Sequence, residues 1–145
     1  EPKYIQGKGN NHIKTCKGDI VLGLNRPVTN GQLKTCRFPL TESSVLYQRA
    51  GKLVFNNNGI DAEFLYQYIT SSVFMKQLKL ELVGSDQPYI KSNLFSVTKN
   101  VFPNIVEQKK ISSFLSSLDQ KIKVTKSELE KAKLWKNGLL QQMFV

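Results

Sequence analysis

Pro103-Asn104-Ile105-Val106-Glu107-Gln108-Lys109-Lys110-Ile111 begins the longest periodic segment of the chain. Asn104, followed three residues later by Glu107, has the form of a capping box, with Pro103 just outside the helix it would start. From there, positions spaced alternately four and three apart read Ile111, Leu115, Leu118, Ile122, Thr125, Leu129, Ala132, Lys136, Leu139 and Met143. Eight of these ten are apolar, which is close to a coiled-coil seam. No proline follows Pro103, and Gly138 is the one helix-weakening residue in the run. The spacing predicts a helix over about 105–143, some 55–60 Å long at 1.5 Å per residue. A domain of about 100 residues cannot cover a rod of that length. The expectation is therefore a helix that needs a partner helix. Thr125 and Lys136 interrupt the seam, either as a solvent-facing gap or as polar positions that set register.

Upstream the periodicity changes. Lys17-Gly18-Asp19 reads as a turn and Ile20-Val21-Leu22 as a short buried strand. Gly23, Asn25, Pro27, Asn30 and Gly31 make 23–32 loop-like. Thr35-Cys36-Arg37-Phe38, Ser44-Val45-Leu46-Tyr47-Gln48 and Lys52-Leu53-Val54-Phe55 are candidate strands, and Asn56-Asn57-Asn58-Gly59 is a further turn. Asp61 can cap a helix with Phe64, Leu65, Tyr68 and Ile69 on one apolar face. Ser71 or Ser72 can start a second helix carrying Phe74, Met75 and Leu78, stopped by Gly84-Ser85-Asp86-Gln87-Pro88. Alternation at Phe95, Val97 and Val101 fits a last strand ending at Pro103. The fold class expected is α+β, with a small mixed domain over 1–102 and a long helix over 103–145.

The 145 residues hold 21 Lys+Arg and 11 Asp+Glu, a formal charge of +10. Residues 1–60 carry nine basic side chains (Lys3, Lys8, Lys14, Lys17, Arg26, Lys34, Arg37, Arg49, Lys52) against Glu1, Asp19 and Glu42. A field of that sign favours a polyanion through phosphate neutralisation and counterion release. Charge alone does not name the ligand, and a soluble basic surface would look the same. Hydrophobic residues make up 40% of the chain and charged residues 22%, both globular values. No uninterrupted apolar stretch is long enough to cross a bilayer, so no membrane role is expected. Cys16 and Cys36 lack metal spacing and read as packing residues of a reduced, cytoplasmic protein. His12 is the single histidine, which weakens metal and catalytic-triad readings. Phosphate-loop, nucleophile-elbow, zinc and Asn/Asp-Pro-Pro-aromatic methyltransferase motifs are all missing. The chain is accordingly expected to be no enzyme, with no catalytic residues, metal or cofactor.

The Pro103–Ile111 stretch, continued by Leu115, Leu118-Asp119 and Ile122, resembles the DNA specificity subunit of type I restriction–modification systems. The closing Trp135-Lys136-Asn137-Gly138-Leu139-Leu140-Gln141-Gln142-Met143-Phe144 resembles that family's usual helix end. Gly18-Asp19-Ile20-Val21, Phe64-Leu65-Tyr66-Gln67-Tyr68 and Gly84-Ser85-Asp86-Gln87-Pro88-Tyr89-Ile90 fit its target-recognition domain in the right order. The resemblance covers nearly the whole chain. It implies a non-catalytic module that reads one half of a split double-stranded DNA site. It further implies long helices that pair antiparallel and dock methyltransferase subunits, and recruitment of an ATP-driven restriction subunit. The family's subunits carry two recognition domains and two helices, so this chain is expected to be the C-terminal part of a longer subunit or a half-subunit that dimerises.

Base reading needs donors and acceptors at base edges, while lysines on phosphates set register. In 25–34, Arg26 suits guanine, Asn30 and Gln32 suit adenine, and Lys34 suits phosphate, with Asn25 beside them. In 85–89, Ser85, Gln87 and Tyr89 are candidates, and Asp86 offers an acceptor to a cytosine amino group. Lys8, Asn11 and Lys14 belong to a basic arm, and Arg37 completes the DNA-contacting set. On the helix, Ile111, Leu115, Leu118, Ile122, Leu129, Trp135, Leu139 and Met143 form the expected interface, with Trp135 as an anchor for a partner helix or a methyltransferase subunit. The competing reading is a helical assembly scaffold without sequence-specific DNA binding.

Overall fold

A computed structural model describes residues 13–54, 59–91, 93–94 and 100–144. The chain divides into two compact units, Glu1–Asn58 with Tyr68–Val101 and Gly59–Gln67 with Phe102–Val145. The architecture is α+β, as expected.

The first unit is built on a three-stranded antiparallel sheet in the order β5-β2-β7. Its central strand β2 (Ile20–Gly23) alternates, with Ile20 and Leu22 buried and Val21 and Gly23 partly open. β5 (Thr35–Arg37) pairs Ile20 with Arg37 and Val21 with Cys36, and β7 (Ala50–Lys52) pairs Leu22 with Gly51. The same alternation corrects the reading of the cysteines. Cys36 lies opposite Val21, on the face away from Ile20 and Leu22, and both Cys16 and Cys36 are free and exposed. β7 starts two residues before the expected strand, because Ala50 and Gly51 take up the ladder with β2 and Leu53 donates to the Ile20 carbonyl. A second ladder joins β1 (Lys14–Thr15) to β6 (Ser44–Val45), and the buried Thr15 hydroxyl donates to the Ser44 carbonyl at 2.9 Å.

The turn before β2 is held by charge. Asp19 accepts from the Cys16 N–H at 2.7 Å and pairs with Lys52 at 2.7 Å. Burial alone would raise its pKa. The Lys52 hydrogen bond, the Cys16 N–H and the Lys52 charge outweigh that and hold the carboxyl below its ordinary 3.8.

Helices complete both units. α1 (Ala62–Thr70) is capped by Asp61, whose Oδ1 accepts from the Phe64 N–H at 2.9 Å, and it buries Leu65 and Ile69. α2 (Ser72–Glu81) starts on Ser71 and buries Phe74, Met75 and Leu78, the set its spacing predicts. Tyr68 packs edge-on against Phe74, and its hydroxyl lies 2.7 Å from both the Gln77 and Asn100 side chains. Burial pushes that phenol above its usual pKa. The strand expected before Pro103 falls largely on 95–99, outside the described residues, and 100–103 carries no strand.

α3 (Ile105–Met143) is 39 residues long, about 58 Å at 1.5 Å per residue. Asn104 caps it by accepting from the Glu107 N–H at 3.0 Å, as the sequence predicts. Its first turns pack through polar groups. Gln108 is 1% exposed and makes three hydrogen bonds. Its Oε1 accepts from the Asp61 N–H at 2.9 Å, and its Nε2 donates to the Gly59 carbonyl at 3.0 Å and the Pro103 carbonyl at 2.8 Å. One turn on, the buried Ser112 hydroxyl donates to Asp61 Oδ1 at 3.1 Å. Ser116 then donates to Glu63 at 3.3 Å, and Gln67 donates to Asp119 at 3.1 Å. Phe64 and Phe102 add an edge-on ring contact at 5.5 Å. Gln108, Ser112, Ser116 and Asp119 thus form one stripe, spaced four, four and three, that bonds Gly59, Asp61, Glu63 and Gln67, from just before α1 to beyond its middle.

Candidate nucleic-acid interface

The site in the first unit is made by two loops that the sequence alone leaves separate. Residues 23–34 contain a small hairpin, β3 (Val28–Thr29) against β4 (Gln32–Leu33), where the sequence reading expected only loop. Its two-residue turn is Asn30-Gly31, with φ of 50° and 75°. Positive φ at both central residues is the conformation that Asn-Gly adopts and that matches strand twist. The stem is closed by the Lys34 N–H on the Pro27 carbonyl at 2.6 Å and the Gly23 N–H on the Lys34 carbonyl at 2.8 Å. Asn30, Gln32 and Lys34 stand exposed around it.

The second loop, 83–89, closes on itself. The Tyr89 N–H donates to the Val83 carbonyl at 2.9 Å, and the Val83 N–H returns a bond to the Tyr89 carbonyl at 3.3 Å. Gly84 has φ of 93°, and a Cβ there would lie 3.1 Å from the Gln87 carbonyl oxygen, so the tight return needs glycine.

Backbone bonds stitch the two loops together. The Arg26 N–H donates to the Pro88 carbonyl at 2.7 Å, and the Ile90 N–H donates to the Leu24 carbonyl at 2.8 Å. Asn25 is thereby bridged antiparallel to Tyr89. Arg26 itself sits at φ 45°, a left-handed conformation in a residue with a side chain. Asn25, Arg26, Asn30, Gln32, Lys34, Ser85, Gln87 and Tyr89 are all exposed and all belong to this stitched pair of loops. Two further exposed cations come with them: Arg49, whose carbonyl accepts from the Leu24 N–H at 2.8 Å, and Lys91, next to Ile90. Their sequence signal was only charge, since neither lies within the two loops rich in amide side chains.

The remaining candidates lie elsewhere. Lys14 is exposed on β1, and its carbonyl accepts from Lys52. Arg37 stands opposite Ile20 in the sheet, half-buried, with Nη1 donating to the Gly18 carbonyl at 3.0 Å. Lys8 and Asn11 lie outside the described residues.

In the second unit, Ile111 and Leu115 are half-buried, while Leu118, Ile122, Leu129, Trp135, Leu139 and Met143 are exposed. Val124, Leu134, Leu140 and Phe144 add to that open apolar surface. Trp135 is 71% exposed. No helix among the described residues is long and apolar enough to cross a membrane.

This combination, two polar loops bonded to each other through their backbones and a long helix with exposed apolar residues, agrees with the comparison with known families. The pattern of the type I restriction modification DNA specificity domain matches residues 3–134. The chain belongs to this family. Within the specificity-domain family, the chain is 39% identical over 120 residues to the type I restriction enzyme MjaVIII specificity subunit of Methanocaldococcus jannaschii. That alignment covers 80% of the chain and 28% of the relative. The specificity-domain chain therefore spans well under half the length of the curated relative it matches.

Proposed function

We propose that this specificity-domain chain is the DNA-reading module of a type I restriction–modification enzyme. In this reading, residues 1–102 recognise bases in double-stranded DNA, and residues 103–145 form the spacer and docking helix. The helix stripe pairs with a second helix, from another half-subunit or a second copy of the chain, and docks the methyltransferase subunits. The restriction subunit joins through the assembled enzyme, in the cytoplasm where the DNA lies. Methyl transfer and cleavage belong to those partners, and the chain itself does no chemistry.

The observation that carries the reading is the stitching of 23–34 to 83–90, which gathers amide, guanidinium and phenol groups with nearby lysines. Amides and guanidinium suit base edges, and lysines suit phosphates. Arg37 is not part of the stitched loops: it lies on the sheet opposite Ile20 and gives Nη1 to the Gly18 carbonyl. Selection from a pool of random duplexes tests the proposal. A recovered short motif is the expected result, and recovery of sequences at background frequencies would refute it.

A further inference from the structure

The bonds between the two loops fix a register that the function alone does not. Around Asn25 and Tyr89, the bonds run from Arg26 to Pro88 and from Ile90 to Leu24, on either side of the pair rather than within it. That is the non-hydrogen-bonded arrangement of an antiparallel ladder, in which facing Cα atoms are only about 4.5 Å apart and side chains are closest. Tyr89 is also bridged to Val83, so Asn25, Tyr89 and Val83 form one row on one face. Ile90, next along the chain, is buried, which turns the Tyr89 face outward. Among the described residues, no side-chain hydrogen bond occupies the Asn25 amide or the Tyr89 hydroxyl, and both residues are exposed.

We propose that the Asn25–Tyr89 pair selects an A·T base pair in the major groove of the target, with Asn25 bidentate on adenine and the Tyr89 ring against a neighbouring thymine methyl. This deepens the DNA-reading function proposed above and rests on it. An asparagine amide presents one donor and one acceptor side by side, which matches adenine N7 and N6 and no other base edge in that groove. The amide is held by backbone bonds on both neighbours, so its position does not depend on a contact it would have to break. Exposed Arg26 and Lys91 lie one and two residues along the chain from the row, and exposed Arg49 and Lys34 are backbone-bonded to Leu24 and Gly23, so positive charge for an approaching duplex is carried close by. Asn25 thus reads in addition to Asn30, at the hairpin turn, and Gln32, paired with Thr29 in the hairpin ladder.

The test is the selected motif of the 145-residue chain and of its Asn25→Ala, Asn25→Asp and Tyr89→Phe variants. The wild type should show one position fixed as A·T that Asn25→Ala releases, with a loss of about 5- to 150-fold on the preferred duplex. Asn25→Asp, which has acceptors only, should lose adenine there and shift towards cytosine. Tyr89→Phe, which keeps the ring, should leave that position intact. The bridging bonds are all backbone, so thermal melting of Asn25→Ala should match the wild type. A wild-type motif that Asn25→Ala leaves unchanged, or a uniform loss on every sequence, would overturn the pairing while leaving DNA reading in place. A wild-type chain with no motif at all would overturn both.

Discussion

Replacing Gln108 by leucine should weaken the fold more than any change on the exposed length of α3. Gln108 is almost fully buried, and its amide serves three backbone groups: the Asp61 N–H and the Gly59 and Pro103 carbonyls. Each such bond is worth about 1 kcal/mol net, and a donor stranded away from water costs about 1–3 kcal/mol. Gly59 is exposed and Pro103 half-exposed, so water can take over part of those two carbonyls. The Asp61 N–H is the donor that loses its acceptor. The sum is a loss of about 2–4 kcal/mol, or roughly 5–15 °C in melting temperature for a chain of this size. Urea unfolding followed by circular dichroism gives the free energy, and hydrogen exchange at Asp61 reports the bond itself. Gln108→Glu keeps an acceptor but loses both donors and buries a charge, so it should be no better tolerated. A Gln108→Leu unfolding free energy within about 0.5 kcal/mol of wild type, the usual effect of a surface substitution, would show that the amide does not hold the helix start.

Other outcomes follow from the same geometry. The Asp19 carboxyl is depressed in the folded chain, so its contribution is present above the unfolded pKa and fades as pH falls through the lower folded value. Melting temperature should therefore drop with acidification below about pH 4 less steeply in Asp19→Asn than in wild type, and parallel slopes would refute the pairing with Lys52. Leu129 is exposed, so Leu129→Asp should change the unfolding free energy of the free chain by less than about 0.5 kcal/mol. The same change should abolish co-purification with methyltransferase subunits or a second helix, and retained assembly would count against the stripe as the docking face. Gly31→Ala places a Cβ at φ 75° and should cost about 1 kcal/mol while weakening DNA binding; an unchanged melting curve would mean the hairpin turn differs from the one described.

What the sequence disclosed depended on the range of the interactions. The ends of α3 and both helix caps at Asp61 and Asn104 were legible, because a cap is settled within four residues. The apolar faces of α1 and α2 and the strand at Ile20 were legible through periodicity. The polar stripe of α3 was not. Gln108, Ser112 and Ser116 look like solvent-facing residues until their partners, some fifty positions upstream, are known. The β3–β4 hairpin was missed although Asn30-Gly31 is a strong turn signal, because strands of two residues show no alternation. β7 was misplaced because its register is set by β2 rather than by its own composition. At the candidate interface the residue types could be read, but not their company. That Asn25 faces Tyr89 depends on backbone bonds across more than sixty residues, which no local pattern encodes.

Fluorescence anisotropy on the selected duplex and on a scrambled duplex of equal length, from low salt to about 0.15 M, decides whether the chain reads DNA sequence. Both affinities should fall with salt, and a preference for the selected duplex of about 10³-fold or more should survive. Equal affinities for the two duplexes at every salt concentration would contradict it.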